Sequence, residues 1–154
     1  MENAREKMII GATPVQCYAI ASSFEDYPSW AQDIKKVQVI RRDDSGRPTE
    51  VTYRAGAFGR TTSYTLRYDY SLAPTSLSWI QIVGDITSKL DGSYTFESLD
   101  FDQTEVTYEL SVELAVPIPG FVKRRAEGRI VHAALRDLKD RVESQASISP
   151  SASK

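Results

Sequence analysis

The residue types that most often carry out acid–base or nucleophilic chemistry are scarce in this chain. Among its 154 residues there is one histidine, His132, and one cysteine, Cys17. A single cysteine excludes an intramolecular disulfide and a cysteine-cluster zinc site, and a single histidine excludes any site that needs two. We expect His132 on the outward side of a helix, at solvent or at the sheet rim, and Cys17 as a small buried side chain.

Carboxylates and glycine-rich segments give no stronger catalytic signal. Glu105, Glu109 and Glu113 alternate with apolar residues and are predicted to lie in solvent, so no pair of carboxylates is expected on an apolar face. Residues 56–59, Gly-Ala-Phe-Gly, lack the lysine and the following helix of a phosphate loop. They predict a hairpin turn or, as the alternative, a flap over a pocket. No catalytic residue, metal site or cofactor is predicted.

Tyrosines are the polar side chains that recur on predicted apolar faces. Tyr64, Tyr68 and Tyr70 share one face of a strand, and Tyr94 and Tyr108 lie on the apolar faces of two others. A buried tyrosine normally needs a hydrogen-bond partner for its hydroxyl. Several such hydroxyls could bind the carbonyl or hydroxyl groups of a ligand. Alternatively, each ring fills the core while its hydroxyl meets backbone or water.

Composition and charge are those of an ordinary globular protein. Apolar residues make up 41% of the chain and charged residues 26%, and the formal net charge is -2. We expect one domain over residues 1–143 and a disordered, Ser- and Ala-rich tail over residues 144–154. The charge balance argues against nucleic-acid binding. Without an apolar leader or an apolar run of about 18 residues, the chain is predicted to be cytoplasmic.

Alternation of apolar and polar residues predicts seven strands. The clearest covers residues 105–114, where every even-numbered position is apolar and every odd-numbered position is polar. Such one-sided strands joined by short turns favour an antiparallel sheet. Two short helices are predicted after the first strand. Thr13 caps the first, with Pro14 at its first position, and the second is a turn over residues 31–34.

A long helix is predicted to follow over residues 121–142. Its apolar residues recur every four positions and form a core-facing stripe, at Val122, Ala126, Ile130, Ala134, Leu138 and Val142, with Val131 and Leu135 beside it. Seven strands at about 4.8 Å spacing are wider than a helix of about 10–12 Å, so the sheet must curl around the helix. The small Ala126 and Ala134 leave room for a cavity of roughly a few hundred Å³, filled by large side chains or by a ligand.

Five motifs carry a resemblance to a known superfamily. They are IGATP at residues 10–14, FEDYPSW at 24–30, LSW at 77–79, LDGSYTF at 90–96 and TEVTYEL at 104–110. The chain resembles the START-like (SRPBCC) superfamily, and within it the polyketide cyclase/dehydrase and coenzyme-Q-binding families. The resemblance implies an α+β helix-grip fold, in which a curved seven-stranded antiparallel sheet wraps around a long C-terminal helix, with two short helices after strand 1.

The resemblance also implies a hydrophobic pocket, in a fold that hosts cyclases, transfer proteins and protein-binding modules. The leading interpretation is non-catalytic binding of a lipid, isoprenoid quinone or polyketide between sheet and helix, for transport or chaperoning. The expected contacts are Tyr53, Tyr64, Leu66, Tyr68, Trp79, Leu90, Tyr94, Tyr108, Leu110, Ala126, Ile130 and Ala134. One alternative is a polyketide aromatase/cyclase, with Arg54, a tyrosine or His132 as acid or base. Another is a protein-interaction module with an exposed apolar patch.

The first turns of the long helix carry positive charge where the helix dipole favours negative charge. This basic cluster consists of Lys123, Arg124, Arg125 and Arg129. It is either a solvated face answered by outward acids of the preceding strand, or a contact for an anionic lipid headgroup, a carrier-protein phosphate or an acidic protein. The predicted partners are thus a hydrophobic small molecule and a transient membrane or carrier-protein contact. The chain is expected to be a monomer or weak dimer.

Overall fold

The computed structural model describes residues 4–152, with side chains as far as residue 145. The first strand, β1 (Ala4–Ile10), leads into helix α1 (Pro14–Ala21) and a 3-10 helix over Phe24–Ser29. Six strands follow, and the chain ends in the long helix α2 (Gly120–Ala152). These strands are β2 (Ile34–Arg42), β3 (Pro48–Ala57), β4 (Arg60–Asp69), β5 (Ser76–Gly84), β6 (Thr87–Leu99) and β7 (Gln103–Leu114).

All seven strands form one sheet in the order β1-β7-β6-β5-β4-β3-β2, and every neighbouring pair is antiparallel. The sheet curves around α2, which runs beside β1. Lys139 Nζ donates to the carbonyl of Ile9 at 2.8 Å, and the N–H of Gly11 donates to the Glu143 carboxylate at 2.7 Å. This architecture confirms the predicted α+β helix-grip fold.

The concave face of the sheet and α2 share one apolar core. The even-numbered positions of β7 from Val106 to Val112 are buried, as the alternation predicts, and pair with the inward residues of β6. Burial of apolar area at about 25 cal/mol per Å² is the main favourable term for such a sheet. The core therefore forms the wall from which any site between sheet and helix is built.

The connection from β1 to β2 starts as predicted and then differs. Thr13 accepts from the N–H of Gln16, whose side chain accepts from the N–H of Thr13, so α1 opens with a capping box. The turn predicted over residues 31–34 is present, closed by a hydrogen bond from the N–H of Ile34 to the carbonyl of Ala31 at 3.0 Å, but a 3-10 helix over Phe24–Ser29 precedes it. The reason is tertiary, because Phe24 stacks on Tyr68 with 4.0 Å between ring centroids and draws this segment onto the sheet.

Helix α2 is longer than predicted. It continues to Ala152, although the sequence places its end at Val142 and a disordered tail from residue 144. Serine and alanine are compatible with helical backbone, so the composition of residues 144–149 carries no stop signal. Residues 153 and 154 of the predicted tail lie outside the described residues. No helix within residues 4–152 combines the length and the apolar character that crossing a membrane requires.

The inward face of α2 differs from the predicted stripe in its first half. Leu138 and Val142 are buried as expected, but Val122 is 41% exposed and Ala126, Ile130 and Ala134 are only half-buried. Val131 and Leu135, predicted beside that row, are buried, and so is Glu127. The helix is thus turned from the predicted orientation by less than the roughly 100° that one residue spans, because Leu138 and Val142 face the core in both. This rotation places Ile130 and Ala134 at the side of the core instead of its centre.

Candidate functional site

A cavity of about 130 Å³ lies between the concave face of the sheet and α2. It is smaller than the few hundred Å³ predicted, because Tyr27 and Trp30 from the β1–β2 connection also line the space. A cavity of about 150 Å³ holds one benzene ring. In this conformation the site therefore has room for about one ring of a ligand.

Eleven of the twelve residues predicted to contact a ligand line this cavity. They are Tyr53, Tyr64, Leu66, Tyr68, Trp79, Leu90, Tyr94, Tyr108, Leu110, Ile130 and Ala134. Ala126 does not belong to the lining, although it lies on the same row of α2 as Ile130 and Ala134, one turn nearer the start of the helix. Contact between the eleven residues and a ligand stays a prediction.

Aromatic rings form the wall opposite α2. Trp79 is central, with its ring centroid 5.9, 5.6 and 5.7 Å from those of Tyr68, Tyr94 and Tyr108. Gly92 pairs with Trp79 across β5 and β6, and a Cβ at Gly92 would lie 2.6 Å from the indole ring. The absence of a side chain at Gly92 therefore lets Trp79 lie against the sheet and leave the cavity free.

Three of the tyrosine hydroxyls on the cavity wall are hydrogen-bonded within the protein. The hydroxyls of Tyr53 and Tyr68 lie 2.6 Å apart and are hydrogen-bonded, and the hydroxyl of Tyr27 donates to the carbonyl of Ala21. Tyr70, which the sequence places on the same face as Tyr64 and Tyr68, follows the end of β4. Its hydroxyl donates to the Pro48 carbonyl, so Tyr70 lies outside the lining.

Three other hydroxyls on the cavity wall have no hydrogen bond to any described residue: those of Tyr64, Tyr94 and Tyr108. Tyr94 is 7% exposed and Tyr108 is 8% exposed, so bulk water does not solvate these rings freely. Burial raises the pKa of all three phenols, which keeps them neutral hydrogen-bond donors at physiological pH. Among the described residues, the fully buried side-chain atoms without a hydrogen-bond partner belong to Thr49, Glu127 and Arg141, so the three phenol oxygens are accessible from the cavity. A ligand or bound water can therefore hydrogen-bond to them.

Two carboxylates at the mouth of the cavity were not identified from the sequence. Asp33 precedes β2, and Asp137 lies on α2 three residues after Ala134. Burial raises the pKa of Asp137, and the nearby carboxylates of Asp33 and Asp140 raise it further, against a 3.1 Å hydrogen bond from the N–H of Gln32. The spacing from Ala134 could have indicated Asp137, but nothing local indicates Asp33.

The turn between β3 and β4 borders the same mouth. Phe58 and Gly59 both have positive φ, 54° and 77°, as in the two-residue turns that join twisted hairpin strands. The predicted hairpin is therefore present. The ring of Phe58 is half-buried and lines the cavity, which is where the alternative prediction, a flap, would place it.

The other candidate acid and base groups do not reach the cavity. His132 is exposed, with Nδ1 2.7 Å from the Glu6 carboxylate. Arg54 is exposed on the outer face of β3. Cys17 is buried as predicted, and burial raises the pKa of its thiol to about 11, so it is largely protonated and a poor nucleophile. Of the groups proposed from the sequence for acid–base chemistry, only the tyrosines line the cavity.

The basic cluster at the start of α2 is partly neutralised within the protein. Lys123 Nζ lies 2.7 Å from a carboxylate oxygen of Glu127, which is 3% exposed. Arg124, Arg125 and Arg129 are exposed. If the basic cluster contacts an anion, the three arginines would make that contact. The contact stays a prediction.

Comparison with known families and structures agrees with this geometry. The family model described as polyketide cyclase/dehydrase and lipid transport matches residues 10–139. Many solved structures share the fold, and three of them are compared with this chain. A START superfamily protein from Mycobacterium smegmatis is 24% identical, with a TM-score of 0.87, and the alignment covers 93% of this chain and 98% of that one.

The other two structures are more distant in sequence. A protein from Thermus thermophilus is 20% identical, with a TM-score of 0.80 and coverage of 94% of this chain and 99% of that one. The Zhui aromatase/cyclase from a Streptomyces species is 14% identical, with a TM-score of 0.79 and coverage of 94% and 95%. No curated protein matches the chain in sequence.

Proposed function

Because the chain belongs to the polyketide cyclase/dehydrase and lipid transport family, we propose that it binds a hydrophobic or amphipathic small molecule between the sheet and α2 without transforming it. The observation that carries this proposal is the set of unpartnered phenol hydroxyls, from Tyr64, Tyr94 and Tyr108, on an otherwise apolar wall. Apolar pockets with a few convergent polar groups are typical of small-molecule sites.

The size of the cavity sets how such a ligand would lie. A lipid, isoprenoid quinone or polyketide exceeds about 130 Å³, so one ring or chain segment would occupy the interior while the remainder extends through the mouth. Phe58 and Trp30, both half-buried at this mouth, would then move aside or pack on the ligand. We retain the predictions of a cytoplasmic location and of transient contact with a membrane or carrier protein.

The test is native mass spectrometry of freshly purified protein, followed by organic extraction, together with titration of an apolar fluorescent probe. We expect a co-purified molecule that is released on denaturation, and displacement of the probe by the extract. The double variant Tyr94→Phe with Tyr108→Phe keeps both rings and removes two hydroxyls. It should weaken binding of the extracted molecule by about tenfold, as loss of hydrogen bonds to buried groups does.

Tyr70→Phe is the matched control, because it removes a phenol hydroxyl outside the lining. It should leave binding unchanged. The proposal fails if nothing co-purifies and the probe does not bind at saturating concentration.

A polyketide aromatase/cyclase is the second candidate, favoured by one observation. The carboxyl of Asp137, whose pKa burial raises, lies within electrostatic reach of the Tyr94 hydroxyl at the mouth of the cavity. A carboxyl with a raised pKa beside a neutral phenol provides a base and an acid for proton transfer during cyclisation and loss of water. Conversion of a linear poly-β-ketone that Asp137→Asn abolishes, while Asp140→Asn retains it, would support this function over binding alone.

A further inference from the structure

The charged groups that line the cavity are all of one sign. Asp33 and Asp137 belong to the lining, and the described lining contains no lysine, arginine or histidine. No basic side chain among the described residues forms an ion pair with either carboxylate. The mouth of the cavity therefore presents uncompensated negative charge and hydrogen-bond acceptors.

The phenols continue this polar path inward. Tyr64 lies within electrostatic reach of Asp33, and Tyr94 within reach of Asp137. Both phenols line the cavity, as does Tyr108, and none of the three hydroxyls is hydrogen-bonded to a described residue. Tyr94 and Tyr108 are more than nine-tenths buried, so these free donors face the cavity and not bulk solvent. The cavity therefore has hydrogen-bond acceptors at its mouth and hydrogen-bond donors inside, so the polar groups of a ligand would have a preferred orientation.

One oxygen of Asp137 is available to a ligand. Its Oδ2 accepts the N–H of Gln32 at 3.1 Å, and Oδ1 has no partner among the described residues. A ligand hydroxyl or ammonium at the mouth would donate to Oδ1, and a carbonyl deeper in the cavity would accept from a phenol. A ligand carboxylate or phosphate at the mouth would instead face two carboxylates at reduced dielectric, where like charges repel strongly.

We propose that the cavity selects ligands whose apolar body ends in a hydrogen-bond donor, a phenol, alcohol or amine, and discriminates against carboxylates and phosphates. This selectivity rests on the proposed binding function. It restricts the ligand class to hydroxylated or amino-bearing aromatic or polyketide-like molecules, and it disfavours free fatty acids and phospholipids.

The experiment compares three probes that share one apolar body: 2-naphthol, 2-naphthylmethylamine and 2-naphthoate. Dissociation constants are measured by displacement of an apolar fluorescent probe at neutral pH and fixed ionic strength. We expect both donor probes to bind at least about tenfold more tightly than the carboxylate, because like charges at an interface are costly. An equal or higher affinity for 2-naphthoate would overturn the selectivity while leaving the binding function intact.

Two double variants test whether the carboxylates at the mouth cause this preference for donor probes. Asp33→Asn with Asp137→Asn should reduce the preference to about threefold or less, mainly by improving 2-naphthoate binding. Asp100→Asn with Asp102→Asn makes the same change in net charge in the turn between β6 and β7, outside the lining, and should leave the preference unchanged. Equal effects of the two pairs would show that net charge, and not the mouth of the cavity, sets the preference.

These measurements distinguish failure of the selectivity from failure of the binding function. If the mouth variant fails to fold, as judged by thermal unfolding, the order of the three probes on the wild-type protein still decides the selectivity. If none of the three naphthyl probes displaces the fluorescent probe, the selectivity is overturned, whereas co-purification and binding of the fluorescent probe itself decide the binding function.

Discussion

At the scale of single residues, the alanines of α2 show how strongly position decides a side chain's role. Ala126 and Ala134 lie about two turns apart, and both are half-buried. Only Ala134 lines the cavity. The same substitution at these two positions therefore separates loss of cavity space from a general effect on the helix.

We predict that Ala134→Leu weakens binding of an apolar probe by at least about fivefold, with a smaller effect on stability than the 1–3 kcal/mol of a typical overpacked core. The larger side chain should occupy ligand space, which the protein without ligand leaves empty. Probe titration and urea unfolding of the same variant provide both values. Ala126→Leu is the control and should leave probe affinity unchanged. Unchanged affinity of Ala134→Leu with a large loss of stability would place Ala134 in closed core.

At the scale of elements, two hairpin turns provide a matched pair. Phe58 in the β3–β4 turn and Phe101 in the β6–β7 turn both have positive φ, 54° and 62°. A bulky residue in this backbone region is strained, and asparagine adopts it more readily. Phe58 lines the cavity, whereas Phe101 is 94% exposed.

We predict that Phe58→Asn raises both the association and the dissociation rate of an apolar probe, by about threefold or more, while the relief of backbone strain offsets part of the packing that the half-buried ring loses. The substitution relieves backbone strain and removes the ring from the mouth. Phe101→Asn relieves the same strain and should leave both rates unchanged. Stopped-flow fluorescence measures the rates. If the two variants have the same kinetics, the β3–β4 turn is a hairpin without a gating role.

The start of α2 is the second element whose role can be tested. Phe121 is 62% exposed and stands beside the exposed Arg124 and Arg125, a combination of apolar and basic groups that suits an anionic lipid surface. Each basic residue near such a surface contributes about 1 kcal/mol. The internal pair of Lys123 with Glu127 leaves these two arginines free to contribute.

We predict that Arg124→Glu with Arg125→Glu abolishes sedimentation with anionic vesicles, which the wild-type protein shows more strongly at low salt than at high salt. Neutral vesicles should bind neither protein. Lys35→Glu with Lys36→Glu makes the same charge change on β2 and serves as the control. If wild type and the arginine variant bind alike, or if neither binds, the basic cluster is a solvated face.

At the scale of the whole molecule, Glu143 connects helix α2 to the segment that follows β1. Its carboxylate accepts the N–H of Gly11 and the ammonium of Lys139, both at 2.7 Å. Burial alone would raise the pKa of Glu143, but these two hydrogen bonds and the charge of Lys139 lower it below its ordinary value of 4.5. A lowered carboxyl pKa stabilises the folded state above the unfolded-state pKa, and this stabilisation is lost as pH falls through the folded-state pKa.

We therefore predict that Glu143→Gln lowers the free energy of unfolding at about pH 7 by about 0.5–1 kcal/mol, a value discounted for solvent screening of this partly exposed group. The difference from wild type should shrink at about pH 3, because the carboxylate is then increasingly protonated. Urea unfolding at the two pH values measures it. Asp140→Asn, an exposed carboxylate on the same helix, is the control. A difference that does not change with pH would contradict the lowered pKa.

The strands, their antiparallel arrangement and the long helix could be predicted from the residues alone, because the signals for them are local, whereas the helix-grip fold followed from the family resemblance. Alternation over residues 105–114 and four-residue spacing along α2 report which faces are apolar, and the turns between strands dictate antiparallel neighbours. The same alternation placed Tyr64, Tyr68, Tyr94 and Tyr108 on inward faces, all of which line the cavity. A strand has only two faces, so parity alone decides which side chains point inward.

The rotation of α2, the size of the cavity and the charge at its mouth depend on tertiary contacts. A helix can rotate about its axis by any angle, so the spacing of its apolar residues does not define which face is buried. Packing against β1 and β7 exposed Val122 and buried Glu127. Gln32 and Asp137, 105 residues apart, meet across the mouth, and Asp33 is there because Phe24 and Tyr27 hold the β1–β2 connection against the sheet. Those contacts join distant parts of the chain, and no local pattern records them.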